Sequence, residues 1–173
     1  MSRPTSPPGR VVARSPARGP RGASTRQRDL SGKPVTHRVA RVEGELLLSA
    51  AARRAIEEGR VEKGDPLTAG SLAGLSGMKR TSELIPHCHL VPLTTSRVDL
   101  ELGPKGVRVR AEAEALWTTG VEMEALVGAT LALLTVWDMV KYLEKDARGQ
   151  YPGTVLGPVR VVRKVKERVA QSR

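Results

Sequence analysis

The sequence has few of the residues that mark several protein classes. Among its 173 residues there is no Phe, and two Trp and two Tyr are the only aromatic side chains. Proteins that bind single-stranded nucleic acid stack bases on exposed aromatic rings, so this composition argues against that class. The single cysteine, Cys88, excludes an internal disulfide and fits a reducing compartment. We therefore expect a cytoplasmic protein.

Long apolar runs and signal-like segments are also missing. The longest run, residues 125–137, is shorter than the ~20 residues that span a bilayer, and Glu124 and Asp138 bracket it. The N-terminus carries arginines but no apolar segment followed by a small-residue cleavage site. The sequence therefore predicts neither a transmembrane helix nor a secretory signal, and no membrane partner.

Acidic residues are absent from the first 28 residues, whose seven Arg account for most of the net charge of +11. Their Arg, Pro, Gly, Ser and Ala content predicts a disordered tail over residues 1–28. This tail could bind polyanions weakly through phosphate contacts, or be only a solvated extension. Residues 29–167 are expected to form a single catalytic domain, and residues 168–173 a C-terminal tail.

Hydrophobic periodicity in the globular part alternates between strand and helix patterns. The predicted order is strand 38–42, helix 46–58, helical segment 66–84, a hairpin of 98–102 and 107–113, helix 121–143 and strand 159–163. This βα(α)ββαβ order is typical of an α+β, ferredoxin-like fold, with an antiparallel sheet and helices packed on one face.

The long predicted helix is apolar on more than one side, which leaves too little polar surface for a helix lying on a monomer. Small residues in it would let a neighbouring helix approach closely. They are Ala125, Gly128, Ala129 and Ala132. We expect a second copy of the chain, in a homo-oligomer, to cover the apolar surface of this helix. The alternative is that the helical segment 66–84 of the same chain covers it.

Charge is concentrated at the two ends of this helix. Glu122 and Glu124 open it, and Asp138 and Lys141 share a face near its end because they are three residues apart. Partial burial would lower the pKa of Lys141 and suit it to general acid or base catalysis. The alternative is that Asp138 and Lys141 form an ordinary ion pair on the surface. At ~1.5 Å per residue, Glu124 and Asp138 lie roughly 21 Å apart. Both ends therefore serve one small substrate only if a second chain completes the site; otherwise each serves its own pocket.

Two further groups of residues suggest contacts with a ligand. In an extended segment His87 and His89 would share one face, with Cys88 opposite. A zinc site there lacks ligands, so we expect imidazole contacts with a substrate and no metal. The segment from Lys63 to Asp65 and the Lys79–Arg80 pair place cations next to glycine or a helix start, which suits phosphate groups. For Lys79 and Arg80, a solvated basic face is the alternative.

These motifs together resemble the cyclic pyranopterin monophosphate synthase family of molybdenum cofactor biosynthesis. The resemblance spans residues 29 to about 163 and rests on segments 33–36, 63–65, 81–89, 120–126 and 157–160 and on Asp138 with Lys141. Segments 142–146 and 149–152 look most like the archaeal branch. The resemblance implies a ferredoxin-like fold, a hexamer built as a trimer of dimers, and active sites at subunit interfaces.

The resemblance also implies an activity and a set of site residues. The reaction is the conversion of 3′,8-cyclo-7,8-dihydro-GTP to cyclic pyranopterin monophosphate with loss of pyrophosphate, by a lyase without a redox cofactor. Whether a Mg²⁺ ion accompanies the substrate phosphates is left open by the sequence. The implied catalytic residues are Asp138, Lys141 and Lys63. The implied substrate contacts are His87, Cys88, His89, Met123, Glu124 and Glu122. We add Lys79 and Arg80 as candidates for binding the substrate phosphates.

The sequence departs from the family pattern in two places. Leu90 and Val91 precede Pro92, where many members have Pro directly after the motif histidine. A Gly-Gly-Lys-Ser-Gly ending is replaced by Arg163-Lys164-Val165-Lys166, which leaves a phosphate contact from this region open. The competing function is a basic nucleic-acid-binding module that uses the Arg-rich tail and the exposed sheet face.

Overall fold

The computed structural model describes residues 25–169, which form an antiparallel sheet with helices on one face. The elements are β1 (Thr36–Leu47), α1 (Ala50–Glu57), α2 (Pro66–Lys79), α3 (Thr81–Leu84), β2 (Thr95–Gly103), β3 (Gly106–Trp117), α4 (Glu122–Val140), a 3-10 turn (Lys141–Leu143), β4 (Val155–Leu156) and β5 (Arg160–Arg168). The strand order is β2-β3-β1, and both β4 and β5 pair with the other edge of β1. The predicted ferredoxin-like α+β fold is confirmed.

The two faces of the sheet differ because side chains alternate along each strand. Inward residues such as Val42 and Val109 are buried beneath the helices. On the open face acidic and basic side chains pair across strands: Arg41 lies 2.6 Å from Glu112, and Arg110 lies 3.5 Å from Glu43. Part of the positive charge on the open face is therefore neutralised, which weakens the support for a basic nucleic-acid surface.

Helix α2 of the same chain packs beside α4 and also rests on β2, since a Cβ atom on Gly74 would lie 3.0 Å from the Val98 side chain. The two helices approach so closely that a Cβ atom on Gly74 would lie 2.8 Å from the Gly128 carbonyl oxygen, and one on Gly70 would lie 3.0 Å from that of Ala132. The expectation that the small residues of α4 face a second chain was therefore wrong, and the alternative holds. Met123 and Leu134 remain 39% exposed on α4.

Several element boundaries differ from the expected ones. The first helix was predicted from residue 46, but Leu46 still belongs to β1, where it pairs with Val107 and lies in the core. The helix begins after Ser49, whose hydroxyl accepts a hydrogen bond from the Ala52 N–H at 3.2 Å. Segment 66–84 breaks at Arg80 into α2 and α3, β5 extends to Arg168, and β4 was not predicted.

The continuous helical segment Glu122–Leu143 is 22 residues long, and by length and composition alone it could cross a membrane. Of its most apolar stretch, 56% is buried, so this segment is the core helix of the domain. Most of the predicted disordered tail, residues 1–24, and residues 170–173 lie outside the described part of the chain. Residues 25–28 are described.

Candidate functional site

Three predicted catalytic residues meet at the C-terminal end of α4. The Lys141 Nζ atom donates to Asp138 Oδ1 at 2.7 Å. The Lys63 Nζ atom, from the loop before α2, donates to Asp138 Oδ2 at 2.7 Å and to the Asp138 backbone carbonyl at 3.0 Å. All three side chains are about half exposed. The Asp138 cluster, defined as these three residues, therefore offers two oriented ammonium groups to a ligand.

The electrostatics of the Asp138 cluster favour full ionisation. Hydrogen bonds from Lys141 and then Lys63 hold the pKa of Asp138 at about 2. The hydrogen bond to Asp138 in turn raises the pKa of Lys141. Burial was expected to lower the pKa of Lys141; within this chain that expectation was wrong, because the cluster faces solvent. The cluster carries one net positive charge, which suits an anionic ligand.

A cavity of about 590 Å³ lies at the opposite end of α4, between its first turn, β1, β5 and the 87–91 loop. Its lining includes Lys33, Arg38, His87, Cys88, His89, Glu122, Met123, Glu124, Lys164 and Lys166. The histidines and Cys88 were expected on opposite faces of an extended segment, but all three line the cavity. The segment is a turn rather than a strand, since the Cys88 N–H donates to the Ile85 carbonyl at 2.9 Å.

The pKa values of the two carboxyl groups in the cavity, Glu122 and Glu124, are shifted in opposite directions. Glu124 is only 4% exposed, and this burial raises its pKa to about 6. Burial acts to raise the pKa of Glu122 as well, but the hydrogen bond from Lys164 and the nearby Arg38 hold that pKa below its usual range. Burial and the charge of Glu124 raise the pKa of the Cys88 thiol. Glu124 is therefore poised to exchange protons near neutral pH.

Of the cations on the cavity floor, sequence reasoning missed Arg38 and left the role of Lys164 and Lys166 undecided. In the β1–β5 ladder Lys166 stands directly opposite Arg38, and Lys164 stands opposite Ala40. Arg38 is 9% exposed, and among residues 25–169 its Nε has no hydrogen-bond partner. Facing like charges destabilise a sheet, so this arrangement is suited to an anion. The available signal was an Arg at an inward position of β1, two residues before buried Ala40.

The remaining site candidates lie elsewhere. Lys79 and Arg80 are exposed at the end of α2, neither lines the cavity, and Arg80 pairs with Glu83 at 2.9 Å. Within the described range, no group of three or more His, Cys, Asp or Glu side chains is arranged to hold a metal ion. The cavity and the Asp138 cluster occupy opposite ends of one unbroken helix, so within one chain the site candidates fall into two separate groups.

A ferredoxin-like domain with a cation-lined cavity beside imidazole and carboxyl groups defines a class of enzyme that binds a phosphorylated small molecule and moves protons on it. Comparison with known proteins makes this specific. The chain belongs to the MoaC family, which it matches over residues 27–167.

Individual relatives cover most of both chains. The sequence is 44% identical over 140 residues to the probable cyclic pyranopterin monophosphate synthase of Saccharolobus solfataricus, which covers 81% of this chain and 94% of the relative. Proteins of the same name from Archaeoglobus fulgidus and Pyrococcus abyssi are each 46% identical over 138 residues. These matches cover 80% of this chain and 88% and 87% of the two relatives. The resemblance inferred from the motifs is confirmed.

Proposed function

We propose that this protein catalyses the reaction of a cyclic pyranopterin monophosphate synthase in molybdenum cofactor biosynthesis. It converts 3′,8-cyclo-7,8-dihydro-GTP to cyclic pyranopterin monophosphate and releases pyrophosphate, which makes it a lyase. Membership of the MoaC family supports this assignment. The structural observation that carries it is the β1–β5 register, which collects Arg38, Lys164 and Lys166 at a cavity that also holds Glu124.

The cations of the cavity bind the substrate phosphates in this proposal. Pyrophosphate leaves when a substrate oxygen attacks the α-phosphorus and the bond from that phosphorus to the bridging oxygen breaks. Negative charge then grows on the departing oxygens, and fixed positive groups stabilise it. Arg38, Lys164 and Lys166 are placed for this role. Lys79 and Arg80 stay predictions as phosphate contacts, because they are remote from the cavity lining.

The rearrangement of the purine-derived ring needs groups that give and take protons. Glu124 is suited to this near neutral pH because its pKa is raised to about 6. His87, Cys88, His89 and Met123 supply contacts to the ring system in the same cavity. We assign Glu122 to holding Lys164 in place, since the two form an ion pair.

The Asp138 cluster can contact the same substrate as the cavity if two chains share one active site. An antiparallel, two-fold pairing of α4 with its copy would set the Asp138 end of one chain beside the cavity of the other. The exposed apolar side chains on the outer helix layer, Leu72 and Leu134, support such a contact. We propose a homo-oligomer on this basis, and a hexamer built as a trimer of dimers from the family resemblance. Asp138, Lys141 and Lys63 are then its catalytic residues, with the lysines as the proton donors.

The cofactor requirement and location follow from the same chemistry. Ring rearrangement and pyrophosphate release transfer no net electrons, so we propose that no redox cofactor takes part. A Mg²⁺ ion could enter with the substrate phosphates, and titration with a chelator tests this. The one cysteine of the chain, Cys88, fits a cytoplasmic location.

The direct test is pyrophosphate release from enzymatically produced 3′,8-cyclo-7,8-dihydro-GTP. The wild-type chain is expected to release it, and Asp138→Asn and Lys141→Ala to lose at least a hundredfold in rate, in the range of removed acid–base groups. Asp99→Asn is the matched control, because Asp99 also pairs with a basic side chain, Arg97, and is similarly exposed, but lies on the open sheet face. An inactive wild type, or equal rates in all variants, would reject the proposal.

A further inference from the structure

The segment before β1 is tied to the loop that carries the cavity histidines. We call residues 25–31 the N-terminal arm. The Gln27 side chain donates from Nε2 to the Cys88 carbonyl at 2.9 Å. The ring Nε2 of His89 lies 2.7 Å from the Arg28 carbonyl oxygen. Two hydrogen bonds therefore join the arm to consecutive residues of the loop.

The second of these hydrogen bonds fixes the protonation pattern of His89. A backbone carbonyl only accepts hydrogen bonds, so the Nε2 atom must carry the proton and donate it. In the neutral ring this leaves Nδ1 unprotonated and able to accept. A histidine whose one nitrogen is held by a carbonyl keeps a single tautomer and ring orientation. The arm thus decides which ring atom of His89 remains for a ligand.

The arm itself is held in shape by a local turn. Asp29 Oδ1 accepts from the Ser31 N–H at 2.9 Å and from the Ser31 hydroxyl at 2.7 Å. The Lys33 N–H donates to the Leu30 carbonyl at 3.0 Å. Such side chain to backbone bonds are typical of Asx turns and restrict the backbone on both sides. Asp29 therefore restrains the backbone that directly follows the Arg28 carbonyl.

The side chain of His89 also lies between two cavities. It lines the 590 Å³ site cavity and a second cavity of about 400 Å³ on the side of the arm. The second cavity is bounded by Gln27, Leu30 and Trp117. The arm therefore lies on one side of His89 and the proposed substrate position on the other.

We propose that the N-terminal arm is a positioning element of the active site, which holds His89 through the Arg28 carbonyl and presents Nδ1 to the substrate. Gln27 and Asp29 are the positioning residues, since they anchor and aim this carbonyl without lining the site cavity. The inference rests on the proposed function where it assigns a substrate contact to His89. The arrangement of the arm and the tautomer of His89 can be measured without any activity.

The first test is spectroscopic and uses the full chain labelled with ¹⁵N-histidine, which contains only three histidines. The ring nitrogen shifts of wild-type His89 are expected to report a protonated Nε2 and an unprotonated Nδ1. Gln27→Ala and Asp29→Ala should give a mixture of tautomers. Thr25→Ala is the control, since its side chain makes no hydrogen bond to the loop within the described residues. Identical His89 shifts in all four proteins would overturn the proposal.

The second test is a double-mutant cycle in the pyrophosphate-release assay. Loss of one hydrogen bond predicts a fall in kcat/KM of roughly three- to tenfold in Gln27→Ala and in Asp29→Ala. In a His89→Asn background, Gln27→Ala should cause no further loss, because the arm acts through the imidazole. Additive losses would overturn the inference. A wild type that releases no pyrophosphate would instead reject the proposed function, and the NMR result would still decide the role of the arm.

Discussion

Arg38 and Lys166 stand directly opposite each other across the β1–β5 ladder, with no acidic residue between them in the register. A pair of like charges on neighbouring strands is unfavourable by itself. It becomes favourable when an anion lies between the two groups, which is why we assign this floor of the cavity to the substrate phosphates.

The first prediction concerns Lys166→Ala. We expect KM for the substrate to rise about tenfold, since a charge-assisted contact is lost, while the unfolding temperature does not fall. Arg163→Ala is the matched control, because Arg163 lies on the same strand opposite Arg41, on the open sheet face. Steady-state kinetics and thermal unfolding of both variants test this. A lower unfolding temperature with unchanged KM would make Lys166 a structural residue instead.

The second prediction concerns the pH dependence of stability at Glu124. Its folded pKa is raised to about 6 from 4.5, so the native state holds this proton more tightly than the unfolded chain. The native state therefore loses stability as pH rises from about 4.5 through about 6, by roughly 2 kcal/mol for this group. Glu124→Gln should remove that loss and unfold at a higher denaturant concentration than wild type at pH 8, with little difference at pH 4.5. If the unfolding midpoints of the two proteins changed in parallel with pH, the raised pKa of Glu124 would be contradicted.

A third prediction tests the packing of α2 on α4. Glycine to alanine inside a helix normally stabilises by about 1 kcal/mol. Gly74→Ala should instead destabilise by about 1–3 kcal/mol, since its Cβ would meet the Gly128 backbone oxygen at 2.8 Å. Gly128→Ala is the comparison, because a Cβ there would meet the Met78 side chain at 2.6 Å and the Gly74 backbone oxygen only at 3.3 Å. Urea unfolding should find the Gly74 variant clearly less stable than the Gly128 variant.

The fourth prediction concerns the pairing of Asp138 with Lys141. Asp138→Asn should lower the pKa of Lys141, because the hydrogen bond to this carboxylate is the main cause of its rise. Titration of the lysine side chains by NMR measures the change, and Asp99→Asn should leave Lys141 unaffected. The folded pKa of Asp138 is depressed to about 2, so its contribution to stability is present above its ordinary pKa of 3.8 and is lost only as pH falls toward 2.

The fold and the Asp138–Lys141 pair could be predicted because their signals are local. Alternation marks the β2–β3 hairpin, and an i, i+3 spacing brings Asp138 to Lys141. The cavity floor could not be predicted in this way. It depends on the register between β1 and β5, whose partners lie more than a hundred residues apart in the chain, so Arg38 and Lys164 look unrelated in the sequence.

The partner of α4 was predicted wrongly although a signal existed. Gly70, Gly74 and Gly77 recur at helical spacing and mark the face of α2 that approaches another backbone. The small residues of α4 indicate that another backbone comes close, but they do not say whether it belongs to the same chain. What a second chain covers in our proposal is the outer surface that still exposes Leu72 and Leu134.

The central claim is that one active site takes its cavity from one chain and its Asp138 cluster from another. Complementation tests it most directly: Arg38→Met and Asp138→Asn chains, each inactive alone, are co-expressed with different tags and assayed for pyrophosphate release. A random mixture of two-fold dimers should recover about a quarter of wild-type activity, because half of the dimers are mixed and each of those has one intact site. Activity no higher than that of the two parents, in verified mixed oligomers, would contradict the shared site.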